Sequence, residues 1–119
     1  MAAQIFTSEP LSVPHAICRV LEEAGIERIF GVPGGHTGHI YNACESHANK
    51  LRLTVLRQES LAGVMAEATG RLTGIPGVIM GQGSWVLGHG IIGTLEAQLS
   101  SSPMLLLTEM SDTPGFDLH

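Results

Sequence analysis

The clearest candidate for chemistry in this sequence is the carboxyl group of Glu59. It follows a segment at 53–57 whose apolar and β-branched residues predict a buried strand, and it precedes a predicted helix at 60–73. Ligands of open α/β sheets bind at the carboxyl ends of the strands, where this junction would lie. A carboxyl group between apolar neighbours is poorly solvated, so it holds a proton readily unless a cation pairs with it. Glu59 is therefore a candidate acid–base group.

An acid at the start of a helix also has a simpler explanation. A carboxylate in the first helical turn is stabilised by the helix dipole by about 0.3–1 kcal/mol. By its position alone, Glu59 fits either role, and the neighbouring motifs have to decide between them.

A glycine-rich turn at 81–84 follows the predicted third strand and is a second candidate site. Gly81 and Gly83 half match a dinucleotide-binding fingerprint, but Val86 stands where the third glycine is required. Ser84 lacks the Gly-x-Ser-x-Gly context of a hydrolase nucleophile. A nucleotide-binding α/β domain is thus an alternative that rests on this turn alone.

Three histidines near the predicted second helix raise the question of a metal. His36 and His39 could share a helix face, with His47 further along. Protein zinc sites need three or four suitably placed ligands, and no nearby cysteine or carboxylate completes such a set. We therefore expect loop and surface histidines here and no metal site in this chain.

Composition excludes several classes of protein. The 119 residues are 44% hydrophobic and 14% charged, with a formal net charge of −5, and the six Lys and Arg residues do not cluster, so nucleic-acid binding is not expected. No apolar run approaches the ~20 residues of a membrane helix, and no basic segment introduces a secretory signal. Cys18 and Cys44 fall on apolar helix faces, which predicts reduced core residues and a cytoplasmic location.

The predicted elements alternate regularly between helix and strand. Such alternation with short apolar strands is typical of an α/β fold, a three-layer arrangement with a parallel sheet and helices on both faces. The sheet stops after the fourth strand, which predicts a partial domain or one that needs a partner. Helices are predicted near 12–24, 37–48, 60–73 and 85–99, strands at 26–30, 53–57, 77–80 and 104–107, a loose leader at 1–10 and a polar, turn-rich tail at 108–119.

A set of short motifs, taken together, points to one family. The chain resembles the N-terminal, pyrimidine-binding domain of thiamine diphosphate enzymes of the acetolactate synthase and 2-oxoacid decarboxylase type. The resemblance covers roughly residues 12 to 110. Its landmarks, in the family's order, are Ile29–Gly35 (IFGVPGG), Arg57–Gln58–Glu59 before a helix that ends with Ala68–Gly74, Pro76–Val78, and Leu99–Pro103 before an apolar strand.

The resemblance implies a cofactor and a role for Glu59. In this family the glutamate hydrogen-bonds N1′ of the aminopyrimidine ring of thiamine diphosphate and thereby activates the cofactor toward a 2-oxoacid. The diphosphate is bound through Mg²⁺ on another domain that carries a Gly-Asp-Gly motif, and this sequence contains no Gly-Asp-Gly. FAD is a further candidate cofactor. The residues expected to contact thiamine diphosphate are Glu59, Pro33, Gly34, Gly35, Gly83, Ser84 and His89.

The resemblance also sets expectations about partners. Residues 1–119 would form a single, partial pyrimidine-binding domain of a lyase or transferase, with the central and diphosphate-binding domains outside this chain. A homodimer, a higher oligomer or a separate chain would supply the diphosphate-binding domain, and the helices after the second and third strands would lie at the dimer interface. The competing hypothesis is a non-catalytic binding or regulatory module, because Ser84–Trp85–Val86 stands where the family often has a Gly-Pro-Gly turn.

Overall fold

The computed structural model describes residues 10–110. The predicted leader at 1–10 and tail at 108–119 therefore lie almost entirely outside the described residues. No helix within 10–110 has the length and apolar character needed to cross a membrane. The helices are α1 Val13–Glu23, α2 Gly38–Ser46 (preceded by a 3-10 turn, Gly35–Thr37), α3 Glu59–Thr73, α4 Gly83–Gly88 and α5 Ile91–Ser100, and the strands are β1 Arg28–Val32, β2 Arg52–Val55, β3 Gly77–Gly81 and β4 Met104–Thr108.

The four strands form one parallel sheet in the order β2-β1-β3-β4. At the centre of the sheet, Ile79 of β3 is in register with Phe30 of β1 and with Leu106 of β4. Helices cover both faces, which confirms the predicted three-layer α/β architecture. All four strands therefore deliver their carboxyl ends, and the loops that follow them, to the same edge of the sheet.

Alternate residues of the strands build two separate cores, one on each face. On the first face, Val78 and Met80 of β3 pack with buried residues of α1 and α2, including Cys18, Leu21 and Cys44. On the second face, the intervening residue Ile79 packs with a smaller cluster, formed by Phe30, Ala62, Ala66 and Val86. The small side chains of α3 let that helix lie close to the sheet.

Two helices end where the sequence predicts. Gly25 follows α1 with φ +77° and Gly74 follows α3 with φ +72°, a left-handed conformation that glycine adopts without a steric penalty. Ser12 is the residue before the first turn of α1, as expected, although its side chain makes no capping hydrogen bond.

The expectation that the second strand is buried is wrong. β2 lies at one edge of the sheet, and its residues are half-buried or exposed, with Val55 59% exposed. The apolar composition of the segment does not reveal its position in the strand order, which depends on contacts between distant parts of the chain.

The predicted single helix over 85–99 is two helices. α4 ends at Gly88, and α5 begins at Ile91 after a break at His89 and Gly90. A Cβ atom on Gly90 would approach the carbonyl oxygen of Val86 and the side chain of Ile79, so the chain passes close to the core at this point. Ser84–Trp85–Val86, which stands where the family often has a Gly-Pro-Gly turn, lies inside α4, and Gln82 is the residue before that helix.

The α3–α5 contact is a close approach of two backbones. A Cβ atom on Gly93 would overlap backbone atoms of Gly63. Several glycines in one predicted helix indicate a close neighbour, and for Gly93 that neighbour is the backbone of α3. Arg71 of α3 also donates hydrogen bonds to Glu67 on its own helix and to Glu96 on α5.

The large apolar side chains of α5 recur at helical spacing, which predicts packing inside the chain, but the structure leaves them exposed. The face of α5 that meets α3 carries its small residues, Gly93 and Ala97, so the large side chains point outward. With neighbours on α3 and α4 they form an apolar outer surface, which in soluble proteins usually marks a contact with another chain or domain. This outer surface consists of Leu61, Val64, Leu87, Ile91, Ile92, Leu95 and Leu99.

The two cysteines are reduced and buried, as predicted. The sulfur atoms of Cys18 and Cys44 lie 3.5 Å apart between α1 and α2, without a disulfide. Burial, together with the neighbouring thiol, raises the pKa of Cys44 to about 12, and burial also raises the pKa of Cys18. Because the thiolate is the reactive form, neither sulfur is poised for reaction at neutral pH.

These thiols predict a loss of stability at alkaline pH. An unfolded cysteine ionises near its ordinary pKa of 9.0, whereas folded Cys44 stays protonated up to about 12. Between these values the unfolded state releases a proton that the folded state keeps, so the free energy of unfolding falls by up to about 1.4 kcal/mol per pH unit for each such thiol. Urea unfolding followed from pH 9 to 12 measures the effect. An equally steep decline in the Cys44→Ala variant would contradict this assignment.

Candidate functional site

Glu59 is the first residue of α3 and lies just beyond the carboxyl end of β2. Gln58 precedes it in an extended conformation, and the amide nitrogen of Leu56 donates to the carbonyl oxygen of Gly31, which continues the pairing with β1 to the edge of the sheet. The chain therefore turns directly from the strand into the helix at this carboxylate. The helix dipole of α3 favours a negative charge at this position.

The Glu59 side chain is largely shielded from solvent, yet its carboxylate oxygens keep unused hydrogen-bond acceptor capacity within residues 10–110. It is 13% exposed. Within residues 10–110 its carboxylate accepts no hydrogen bond, and the nearest basic group is the imidazole of His89. A shielded carboxyl group that keeps free acceptor capacity is suited to binding a donor from outside the chain.

His89 is brought to Glu59 by the break between α4 and α5. Its Nδ1 atom lies 3.7 Å from Oε2 of Glu59, while its side chain is 59% exposed. The ring meets Trp85 edge-on, with ring centroids 5.2 Å apart. The structure thus places His89, a predicted site residue, beside Glu59.

Tyr41 of α2 is buried and lies close enough to Glu59 to respond to its charge. Its hydroxyl group donates a 2.7 Å hydrogen bond to the carbonyl oxygen of Met80, near the end of β3. Burial raises the pKa of Tyr41, with smaller contributions from Cys44 and from the nearby charge of Glu59, so the phenol stays protonated. A Cβ atom on Gly31 would overlap the Met80 carbonyl group and the Tyr41 hydroxyl group, so glycine makes room for this contact.

The loop Pro33–Gly34–Gly35 is held by Glu109, which the sequence analysis did not single out. The backbone nitrogen of Thr37 donates to Oε2 of Glu109 at 3.0 Å. Gly35 has φ +52°, and a Cβ atom there would overlap the Glu109 carboxylate. The signal was present in the sequence, because Glu109 follows the fourth strand as Glu59 follows the second.

Gly83 and Ser84 lie at the start of α4. Gly83 is buried against the backbone of Glu109, where a Cβ atom would lie 2.4 Å from the carbonyl oxygen, so it helps to join the loops after β3 and β4. Ser84 is exposed, and no hydrogen bond joins it to Glu59 within 10–110. The structure thus groups Glu59 with His89, and Gly35 with Gly83 around Glu109. The cofactor contacts expected of these residues stay predictions.

Of the three histidines near α2, His47 is not the surface residue that the sequence predicts. His36 and His39 are exposed, but His47 is part-buried, with Nδ1 2.8 Å from Glu22 and Nε2 3.3 Å from Nδ1 of His15. His47 is therefore a packing residue between α1 and α2 and not a surface residue. Across 10–110, no three His, Cys, Asp or Glu side chains are grouped to hold a metal ion.

Comparison with known proteins gives a consistent result. The family model described as thiamine pyrophosphate enzyme, N-terminal TPP binding domain, matches residues 11–119. The chain is 28% identical over 103 residues to a pyruvate oxidase of Lactiplantibacillus plantarum, covering 87% of this chain and 17% of that protein. It is 32% identical over 101 residues to the acetolactate synthase large subunit IlvG of Mycobacterium tuberculosis, covering 82% and 18%.

A third relative has a different printed activity. The chain is 29% identical over 105 residues to a probable 2-ketoarginine decarboxylase, AruI, of Pseudomonas aeruginosa, covering 85% of this chain and 18% of that protein. The chain thus spans less than a fifth of the length of each of these relatives.

Proposed function

Because this chain belongs to the thiamine pyrophosphate enzyme family, as its N-terminal TPP-binding domain, we propose that it binds the aminopyrimidine ring of thiamine diphosphate in a 2-oxoacid decarboxylase or carboligase resembling acetolactate synthase. In this proposal Glu59 is the residue that activates the ring. The observation that supports it best is the Glu59 carboxylate, which is 13% exposed and has free acceptor capacity at the carboxyl edge of the sheet.

The chemistry of this carboxylate fits a ring nitrogen. A carboxyl group can share one proton with a nearby nitrogen, and a shielded site strengthens that hydrogen bond because water competes less. When bound, thiamine diphosphate supplies the electron sink that 2-oxoacid decarboxylation requires. The role of this chain is to hold Glu59 at a fixed place beside the ring, where its carboxyl group can gain and lose a proton.

The surrounding residues fix that place. Glu59 is anchored as the first residue of α3, and the small residues of α3 hold the helix against the sheet. Tyr41 ties α2 to the end of β3, and Glu109 accepts from the backbone nitrogen of Thr37 and so ties the 3-10 turn after β1 to the end of β4. These contacts join three of the four strand ends into one rigid edge, which suits a cofactor that must be held in one orientation.

The diphosphate requires a second domain. The sequence has no Gly-Asp-Gly motif, so in this proposal Mg²⁺ and the diphosphate are held by a domain outside residues 1–119 or on a partner chain. We call this chain together with that domain the assembled protein. FAD, magnesium and a cytoplasmic location stay predictions of the sequence analysis.

The test of this function is turnover by the assembled protein. We expect release of CO₂ from pyruvate or another 2-oxoacid that depends on added thiamine diphosphate and Mg²⁺. The assay should include a series of 2-oxoacids, since the relatives' printed names differ in substrate. Cofactor binding without turnover of any 2-oxoacid would instead favour the non-catalytic module.

The apolar outer surface supports a further part of the proposal, that a second copy of this chain covers it. Seven large apolar side chains on α3, α4 and α5 are exposed there, including Ile92 at 59% and Leu95 at 51%. Burying this area in a dimer is favourable by roughly 25 cal/mol per Å² of apolar surface before the costs of association. It would also bring a second chain to the helix that carries Glu59.

Replacing Ile92 with glutamate tests this surface. Because a charge in an apolar interface must be desolvated, we expect the dimer to weaken by at least tenfold in its dissociation constant. Sedimentation equilibrium measures the constant, and Glu45→Gln, on the exposed side of α2, is the control. An unchanged dimer in Ile92→Glu would place the interface elsewhere.

A further inference from the structure

The Glu59 carboxyl group has little direct contact with solvent, and the more exposed side chain of His89 lies beside it. If Glu59 shares a proton with the cofactor, as the proposed function requires, its protonation state has to equilibrate with solvent. Its side chain is only 13% exposed, whereas that of His89 is 59% exposed and has Nδ1 3.7 Å from Oε2 of Glu59. The imidazole thus lies beside the shielded carboxylate and is itself open to solvent.

The position of His89 is set by several independent contacts. Its backbone nitrogen donates to the carbonyl oxygen of Trp85 at 2.8 Å, which fixes it at the end of α4. Gly90, the next residue, is buried against Val86 and Ile79, so the backbone beside His89 is held against the core. The Trp85 ring packs against the imidazole at 5.2 Å between centroids. These contacts favour one orientation of an otherwise exposed ring.

We propose that His89 is a positioning residue that acts through Glu59, by relaying protons between the Glu59 carboxyl group and solvent. In the resting state, Nδ1–H of neutral His89 faces the ionised carboxylate, and Nε2 carries the lone pair toward water. When Nε2 takes a proton from hydronium or from a protonated buffer molecule, which is left as water or as the buffer base, Nδ1 releases its own proton to Glu59. The products are a protonated Glu59 and the Nε2–H tautomer of His89, and the reverse transfer restores the resting state.

The 3.7 Å separation between Nδ1 and Oε2 is short enough for this role. It lies within the range of an ion pair, and catalytic hydrogen bonds are often longer before a ligand is bound. A small rotation of an exposed ring closes the remaining gap. Within residues 10–110, the pKa of Tyr41 on α2 also responds to the charge of Glu59, but the Tyr41 hydroxyl group already donates its proton to the carbonyl oxygen of Met80.

The relay predicts the tautomer of His89 in the cofactor-free chain. Neutral histidine in water prefers the Nε2–H form, and a neighbouring acceptor selects the nitrogen that carries the proton. We expect ¹⁵N NMR at mildly alkaline pH, above the ~6.5 at which free histidine titrates, to show mainly the Nδ1–H form of His89. In Glu59→Ala the Nε2–H form should predominate. His89→Gln assigns the signal, and equal tautomer populations in wild type and Glu59→Ala would overturn the proposal.

A second experiment uses the assembled protein and separates this proposal from the proposed function on which it rests. In His89→Ala, exchange of the proton at C2 of bound thiamine diphosphate should slow by roughly 10²-fold. Imidazole added to the buffer should restore much of the rate, whereas a purely structural loss would not respond. His39→Ala, at an exposed histidine of α2, is the matched control and should exchange at the wild-type rate.

The C2 exchange rates of Glu59→Ala and His89→Ala together distinguish failure of the relay from failure of the proposed function. If Glu59→Ala abolishes exchange while His89→Ala exchanges at the wild-type rate, the relay is wrong and the role of Glu59 stands. If Glu59→Ala exchanges normally, the proposed function itself fails. Loss of exchange in both variants, with imidazole rescue of His89→Ala alone, supports the relay.

Discussion

Replacing Gly93 with alanine is expected to destabilise the chain by about 3 kcal/mol or more. The new Cβ atom would overlap the backbone of Gly63 on the facing helix and would lie 2.7 Å from its Cα atom. Overpacking typically costs about 1–3 kcal/mol when side chains can adjust, and here the obstacle is a backbone that can move only with its helix. Because small domains are stable by only about 5–15 kcal/mol, the loss is a large fraction of the total.

The measurement is the free energy of unfolding in urea, with Gly38→Ala as the matched control. Gly38 has helical angles of φ −52° and ψ −34°, and nothing lies within 4 Å of a Cβ atom built there. Alanine at this position should stabilise the chain by up to about 1 kcal/mol, because it restricts the unfolded state. Equal effects of the two substitutions would mean that α3 and α5 are farther apart than described.

Replacing Glu59 with glutamine in the assembled protein is expected to lower 2-oxoacid turnover by 10²-fold or more. Glutamine keeps the size and the acceptor oxygen of the side chain but cannot exchange a proton, and general acid–base groups typically contribute about 10²–10⁴-fold. The Michaelis constant for the 2-oxoacid should change far less than the turnover number, because Glu59 is proposed to act on the cofactor and not on the substrate.

The control for Glu59→Gln is Glu45→Gln, the same chemical change at an exposed position of α2. It should retain wild-type turnover and stability. Circular dichroism of Glu59→Gln should match wild type, and its free energy of unfolding in urea should fall by no more than about 1 kcal/mol, the contribution of the helix dipole, since that carboxylate makes no hydrogen bond within 10–110. Full turnover in Glu59→Gln would show that another group activates the cofactor.

Much of this fold can be predicted because its signals are local. The helices α1 and α3 follow from apolar spacing and from the terminating glycines Gly25 and Gly74. Strands β1, β3 and β4 follow from short apolar runs, and their alternation with helices predicts the parallel sheet. The junction of β2 and α3 is likewise local, which is why the sequence predicts Glu59 at the strand end.

The remaining features depend on contacts between distant residues. The exposure of Val55 follows from the edge position of β2, and the break at Gly90 follows from its contact with Ile79. Glu109 acquires its role only when β4 lies beside β3 and brings it to Thr37. The pairing of Glu59 with His89 likewise joins two elements that are separated by β3. The spacing of residues along the sequence does not predict any of these long-range contacts.

The measurement that tests the central claim most directly is hydrogen–deuterium exchange at C2 of thiamine diphosphate bound to the assembled protein. It reports activation of the cofactor without any contribution from substrate binding or product release. We predict rapid exchange in wild type, rapid exchange in Glu45→Gln, and exchange slowed by 10²-fold or more in Glu59→Gln. Exchange at the wild-type rate in Glu59→Gln would contradict the assignment of Glu59 as the activating residue.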